Sequence, residues 1–188
     1  MSERTPGIRP RPSVWRQLDT AARHSFPAAT TALLILATAI PFGLPDQAEL
    51  LPAMALACVF FWSLFRPGGM SPPVVFLIGV LADLLGYAPL GVNVLTLLIL
   101  HGLALRWRRV LIPLGFVPVW LAFAGLAVGA AALGWALTCV LTFRLLPPGP
   151  AGFQAVLSAA LYPALSTLFT HAHRSLSGPG GWNDRIVS

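Results

Sequence analysis

Trp120 to Phe143, WLAFAGLAVGAAALGWALTCVLTF, carries no charge and no proline, and its reading decides the fold. An uninterrupted apolar run of this length suits a helix through the bilayer core, about 30 Å thick, and is too long for a strand. Extended back to Val110, the run would measure about 51 Å as one straight helix at 1.5 Å per residue, more than one crossing needs. The sequence therefore predicts one long tilted helix whose first part, around Pro113 and Pro118, lies near the membrane interface.

The rest of the chain agrees with a lipid environment. Of its 188 residues, 56% are hydrophobic and 10% charged, against roughly 45–50% and about 25% in soluble domains. A mean hydropathy of +0.77 rules out disorder despite 18 prolines, because disordered chains are poor in apolar side chains. Further apolar runs cover Phe26 to Leu44, Leu50 to Phe65, Pro72 to Leu85, Leu90 to Leu105 and Gly152 to Phe169. Arg66-Pro67-Gly68-Gly69, Gly86-Tyr87-Ala88-Pro89 and Pro147-Pro148-Gly149-Pro150 punctuate them with turn residues. The prediction is an all-α polytopic membrane protein with six transmembrane helices over residues 26–174. A basic tail, 1–25, precedes this domain and a second tail, 175–188, follows it. Ala37-Thr38-Ala39 imitates a signal-cleavage site, but the polar segment before it is too long for a signal peptide, and the first helix is expected to be retained.

All twelve basic residues are arginines, and their placement argues topology rather than nucleic-acid binding. Arg4, Arg9, Arg11, Arg16 and Arg23 precede the first run, and Arg106, Arg108 and Arg109 end the fourth. Six crossings from a cytoplasmic N-terminus leave Arg144 alone outside, while Asp46 and Glu49 fall in the first external connection, as the positive-inside rule requires. Both termini are then cytoplasmic. Trp15, Trp62, Trp107, Trp120 and Trp182 lie near predicted helix ends, where indoles anchor at the headgroup level. Cys58 and Cys139 sit inside apolar runs and read as small buried hydrophobes, with no disulfide expected.

Few residues carry chemistry. HExxH, GxSxG and a glycine-rich loop ending in lysine are missing from the sequence, so no catalytic, cofactor or metal-binding residue is assigned. Asp83 stands out, since an acid inside an apolar helix is expensive and tends to face a bundle interior or a cavity. It reads either as a polar switch, ligand or partner contact, or as a helix-end group capping the turn before Pro89. Tyr87 and Asn93 are its candidate partners. His101 reads as a hydrogen-bonded packing residue rather than a proton relay, and His171 with His173 as a polar helix end rather than a metal site. Small residues recur at four-residue spacing in Gly125–Gly129, Ala127–Ala131 and Ala130–Gly134, which lets helices approach closely. They are expected to pack inside the bundle; a surface for a partner would be recognised as a stripe left exposed.

Trp62-Ser63-Leu64-Phe65-Arg66-Pro67, Pro72-Pro73, Gly79, Asp83-Leu84-Leu85 and Pro89-Leu90-Gly91, in this order, resemble the signature of the rod shape-determining protein MreD family. The resemblance implies a non-enzymatic inner-membrane component of the elongasome, the machinery of lateral peptidoglycan synthesis. Its implied partners are MreC, the wall synthases RodA and a class B penicillin-binding protein, and the actin-like MreB. It implies a fold like that of the substrate-binding subunits of energy-coupling-factor transporters, and hence a second function class, the membrane subunit of a vitamin-like small-molecule transporter. On the first reading, lipid-facing grooves hold the single transmembrane helix of MreC. Asp83, with the Arg66-Pro67 and Pro89-Leu90-Gly91 turns, shapes or gates a central cavity, and Gly125, Gly129, Ala130 and Gly134 serve helix packing.

Overall fold

The computed structural model describes residues 14–40 and 47–176. Six α-helices follow one another: α1 (Val14–Ala39), α2 (Gln47–Phe65), α3 (Pro72–Leu85), α4 (Val92–Leu111), α5 (Phe116–Thr142) and α6 (Gly149–Leu176). No strand occurs among the described residues. Ala48–Phe65, Phe116–Thr142 and Gly149–Leu168 are long and apolar enough to cross a membrane, and Ser25–Ala39 and Pro72–Leu85 are shorter apolar helices. Leu77, Leu84, Leu121, Val128 and Val140 are all well over half exposed, whereas Asp83, His101, Ser63 and Ser158 are buried. The core is otherwise apolar, and large exposed apolar surface on three helices long enough to cross a membrane suits contact with lipid.

Helix ends correct several boundaries. α1 starts at Val14, within the segment read as a tail. Residues 1–13 and 177–188, and Asp46 of the first connection, lie outside the described residues. α4 does not stop at Leu105 but continues to Leu111, taking Arg106, Arg108 and Arg109 into its last turns, where cations complement the negative end of the helix dipole. The single long helix expected from Val110 is not formed. Ile112–Leu114 makes a 3₁₀ turn and Gly115 has φ +86°, a left-handed conformation that glycine adopts without penalty, so α5 starts afresh at Phe116. At the far end of α5, Phe143 takes φ 53°. The next amide, that of Arg144, donates back to the Cys139 carbonyl at 3.3 Å.

Four helices close a ring in which α2 packs on α6, α6 on α5, α5 on α4 and α4 on α2. α3 flanks α4, and α1 lies on α2 and α3. The axis is plugged midway by three aromatic rings from three helices. Phe123 lies 5.0 Å from Phe60 and 4.6 Å from Tyr162, centroid to centroid, and Phe60 and Tyr162 are 5.7 Å apart. All three are fully buried. Trp62 belongs to the core as well, 2% exposed and edge-on to Phe26, rather than to an interfacial belt.

Pro163, inside α6, cannot donate to the carbonyl four residues earlier, which leaves Ala159 O without its helical partner. The Trp120 indole N–H of α5 donates to that oxygen at 2.9 Å. Replacing Trp120 by Phe should therefore lower stability by about 1–3 kcal/mol, the range for an orphaned buried polar group. In a Pro163→Ala background, where residue 163 supplies its own N–H, the same replacement should cost clearly less. Thermal unfolding of the four proteins in detergent measures the coupling, and equal losses in both backgrounds would refute it.

Candidate functional site

α4 begins at Gly91, whose φ of +96° turns the chain out of the Pro89-Leu90 corner. The first four N–H groups of any helix lack intrahelical acceptors, and here the four can be accounted for in full. Val92 N–H donates to Pro89 O at 3.2 Å. The other three go to one side chain: Gly91 N–H to Asp83 Oδ2 at 2.7 Å, Asn93 N–H to Oδ1 at 2.9 Å, and Val94 N–H to Oδ2 at 3.4 Å. Leu95 N–H then opens the helical ladder on Gly91 O at 3.0 Å. Asp83, 4% exposed, is thus a capping carboxylate supplied by the neighbouring helix, at the positive end of the α4 dipole.

Gly79 makes this reach possible. It sits one turn before Asp83 on the same face of α3, and a Cβ there would fall 2.6 Å from Val94 Cα. No side chain is compatible with that backbone approach. Gly79, Asp83 and Gly91 therefore form one device: close contact, cap, and the turn that presents the N–H groups. Pro89 contributes its carbonyl, and Leu90 is 72% exposed. Asn93 partners Asp83 through its backbone rather than its side chain, and Tyr87, 92% exposed, is not a partner.

Arg66 and Pro67 belong elsewhere. They form the 3₁₀ turn after α2, at the opposite end of α3, which spans about 21 Å at 1.5 Å per residue. Gating by Arg66-Pro67 together with Asp83 is therefore not what the geometry supports. At that end the active cation is Arg108, whose Nε–H donates to Leu64 O at 2.6 Å and so satisfies a carbonyl in the last turn of α2. His101 lies between the two ends. Ser63 spends its hydroxyl proton on Val59 O at 2.5 Å, so at the 2.7 Å contact His101 Nδ1–H is the donor and Ser63 Oγ the acceptor. His101 Nε2 is buried without a partner among the described residues. Ser63 and Arg108 were missed from sequence; the signal was the 3.6-residue spacing of Leu97, His101, Ala104 and Arg108 on one face of α4. The side chains of His171 and His173 lie outside the described residues.

The three small-residue stripes of α5 part company. Ala127, Ala130 and Ala131 are buried, and a Cβ on Gly134 would lie 3.8 Å from Val92 Cγ1, so these pack internally as expected. Gly125 and Gly129 are exposed, and among the described residues a Cβ on either would meet nothing within 4 Å.

A cavity of about 240 Å³ opens at the end of the ring remote from Arg108, between the N-terminus of α2, the α3–α4 turn and the α5–α6 connection. Asp83 does not line it. By capping α4, Asp83 fixes the start of the helix that carries four lining residues, Val92, Asn93, Thr96 and Leu97. The chain matches no family model, no curated protein and no solved structure.

Two substitutions test the device. Gly79→Ala should destabilise the protein by roughly 1–3 kcal/mol through overpacking against Val94, whereas Gly102→Ala, with open space around it, should not. Asp83→Ala should cost about 2–4 kcal/mol, since three buried donors lose a charged acceptor, and Asp83→Asn should recover part of that loss. Both are read by thermal unfolding in detergent.

Proposed function

We propose that the protein is a non-enzymatic scaffold of the elongasome in the bacterial inner membrane, of the MreD kind. Six helices cross the membrane, both termini are cytoplasmic, and the open face of α5 holds the transmembrane helix of MreC. Through MreC the scaffold is linked to RodA, a class B penicillin-binding protein and MreB.

The observation that carries this reading is the exposed Gly125–Gly129 pair. Inside a bilayer no hydrophobic effect drives helices together, so association depends on close backbone packing, for which two glycines four residues apart are suited. Leu121 and Val128 flank the pair and are 59% and 60% exposed, giving ridges beside a groove. The residues resembling the MreD signature contribute architecture rather than chemistry: Gly79, Asp83 and Gly91 lock α3 to α4. The arginines gathered at the Arg66 and Arg108 end agree with that end being cytoplasmic, and the Asp83 end then faces outward.

The test is affinity purification of the tagged protein from native membranes in mild detergent, with mass spectrometry of what accompanies it. MreC and the wall synthases should be recovered. Gly125→Leu with Gly129→Leu should reduce MreC recovery by at least about tenfold, as the loss of a close-packed membrane interface worth 1–2 kcal/mol or more predicts, without lowering the thermal stability of the purified protein. Undiminished MreC recovery from the double variant would overturn the assignment of the α5 face. Recovery of paired ATPases in place of MreC would overturn the scaffold reading itself.

A further inference from the structure

α4 is two-faced along its length. Leu97, Leu100, His101 and Ala104 are buried on the side turned to the bundle. On the opposite side Leu95 and Ile99 are 44% and 41% exposed, and Gly102, Arg106 and Arg109 are exposed as well. Leu95, Ile99, Gly102, Arg106 and Arg109 follow one another at intervals of four, three, four and three residues, which puts them on one stripe, an arc of about 80° at 3.6 residues per turn. Gly102 is its low point, since among the described residues a Cβ there would meet nothing within 4 Å. From Leu95 to Arg106 the helix rises about 16 Å at 1.5 Å per residue, close to half of a hydrocarbon core about 30 Å thick. With Arg106 at the headgroup level, the apolar part of the stripe runs down one leaflet.

The two arginines that end the stripe are not accounted for by the fold. Arg108, between them in sequence, points the other way and commits its Nε–H to Leu64 O at 2.6 Å. The side chains of Arg106 and Arg109 take no hydrogen bond or ion pair among the described residues. Asp83 caps the opposite end of α4, and Glu49 lies in the first turn of α2, whereas Arg108 meets the last. Arg106 also precedes the last turn of α4, which holds Arg108 and Arg109, and the helix dipole acts only within that turn. Like charges three residues apart on a helix repel each other. An anion placed between them removes that repulsion.

We infer that the outer face of α4 is a binding site for one anionic phospholipid of the leaflet at the arginine end. Its phosphate is held between the guanidinium groups of Arg106 and Arg109, which are planar and present paired N–H donors to phosphate oxygens. One acyl chain lies over Gly102 and along Ile99 and Leu95. Because lipid tails are as apolar as leucine, the chain adds little energy within the bilayer; the lane positions the lipid, and the headgroup supplies the preference. A zwitterionic lipid brings a cation of its own to the arginine pair, so selection is by net charge. The site rests on α4 crossing the membrane. It is separate from the Gly125–Gly129 face and does not depend on MreC.

The experiment uses the purified full-length chain in an uncharged detergent, with dioleoyl phosphatidylglycerol, dioleoyl phosphatidylcholine and glycerol 3-phosphate as probes. A ligand selective for the folded state raises Tm with concentration. Phosphatidylglycerol should do so at concentrations roughly thirtyfold below those phosphatidylcholine needs, the contribution of two basic residues facing an anionic lipid. Glycerol 3-phosphate, a headgroup without chains, should give no shift. Arg106→Gln with Arg109→Gln should bring phosphatidylglycerol to the level of phosphatidylcholine, and lysine at both positions should keep part of the preference. Arg144→Gln, in the exposed α5–α6 connection, should change nothing. Gly102→Leu, which raises the floor of the lane with both arginines intact, should weaken phosphatidylglycerol about tenfold, as loss of a diffuse surface potential would not. Equal shifts with both lipids would leave the arginines a topology signal only and overturn the inference. So would a shift with glycerol 3-phosphate matching that of phosphatidylglycerol, or a preference that survives unchanged in the double arginine variant or in Gly102→Leu. Release of the chain from native membranes by alkaline carbonate would overturn the membrane reading together with this site, whereas retention without a headgroup preference overturns the site alone.

Discussion

The fold depends on one carboxylate in an apolar place. Asp83 accepts three of the four N–H groups that open α4, and at 4% exposure its place is not readily taken by water. The same contact removes the difficulty of burying Asp83, because its charge is spread over converging backbone dipoles at the positive end of a helix. Each group makes the other tolerable. The pairing also sets geometry, since Gly79 brings α3 to Val94 at backbone distance, and only at that separation does a side chain as short as aspartate span the gap.

Once its first turn is fixed, α4 carries a single face against α2. Leu97, His101 and Ala104 are buried on it, His101 donates to Ser63, and Arg108 reaches the end of α2. α4 is thus held at one end by an acid from α3 and at the other by its own base on α2. Trp120 repeats the logic between α5 and α6, delivering a donor where Pro163 has removed one. The specific ties in this bundle are hydrogen bonds to backbone groups that helix ends or prolines leave open. That is the expected way to specify helix pairs when apolar contact alone scarcely distinguishes a neighbour from lipid.

Helices were legible because apolar runs bounded by turn residues show in composition: α3 matches the run read from it, and α2 and α6 contain theirs. Boundaries at Gly115 and Leu111 were not, since in an apolar chain a left-handed glycine looks like any other small residue and no polar segment marks the break. Gly79 and Asp83 were legible as a spacing, i and i+4 on one face, but their partner was not. Periodicity within α3 says which residues share a face and is silent on which helix that face meets. Trp62 shows the same limit from the other side. Near a helix end an indole reads as an interfacial anchor, and only the approach of Phe26 from α1 turns it into core. Of the site, the capping alternative for Asp83 was readable, whereas the roles of Ser63 and Arg108 required the ring to be assembled.

The glycines of the two α-helical pairings separate structural from outward-directed use. Glycine inside a helix costs about 0.5–1 kcal/mol relative to alanine in aqueous hosts, so its presence calls for a return elsewhere. At Gly79 the return is visible within the chain, as contact with Val94 and the cap that follows. Gly134 packs toward Val92. Gly125 and Gly129 yield nothing among the described residues, where a methyl group on either would meet open space. Gly102 is also open but stands alone, while Gly125 and Gly129 share one face at the spacing that admits another backbone. The missing return is supplied if a second helix lies there, which is why the α5 face, and not the buried acid, is the part of the molecule that points to a partner.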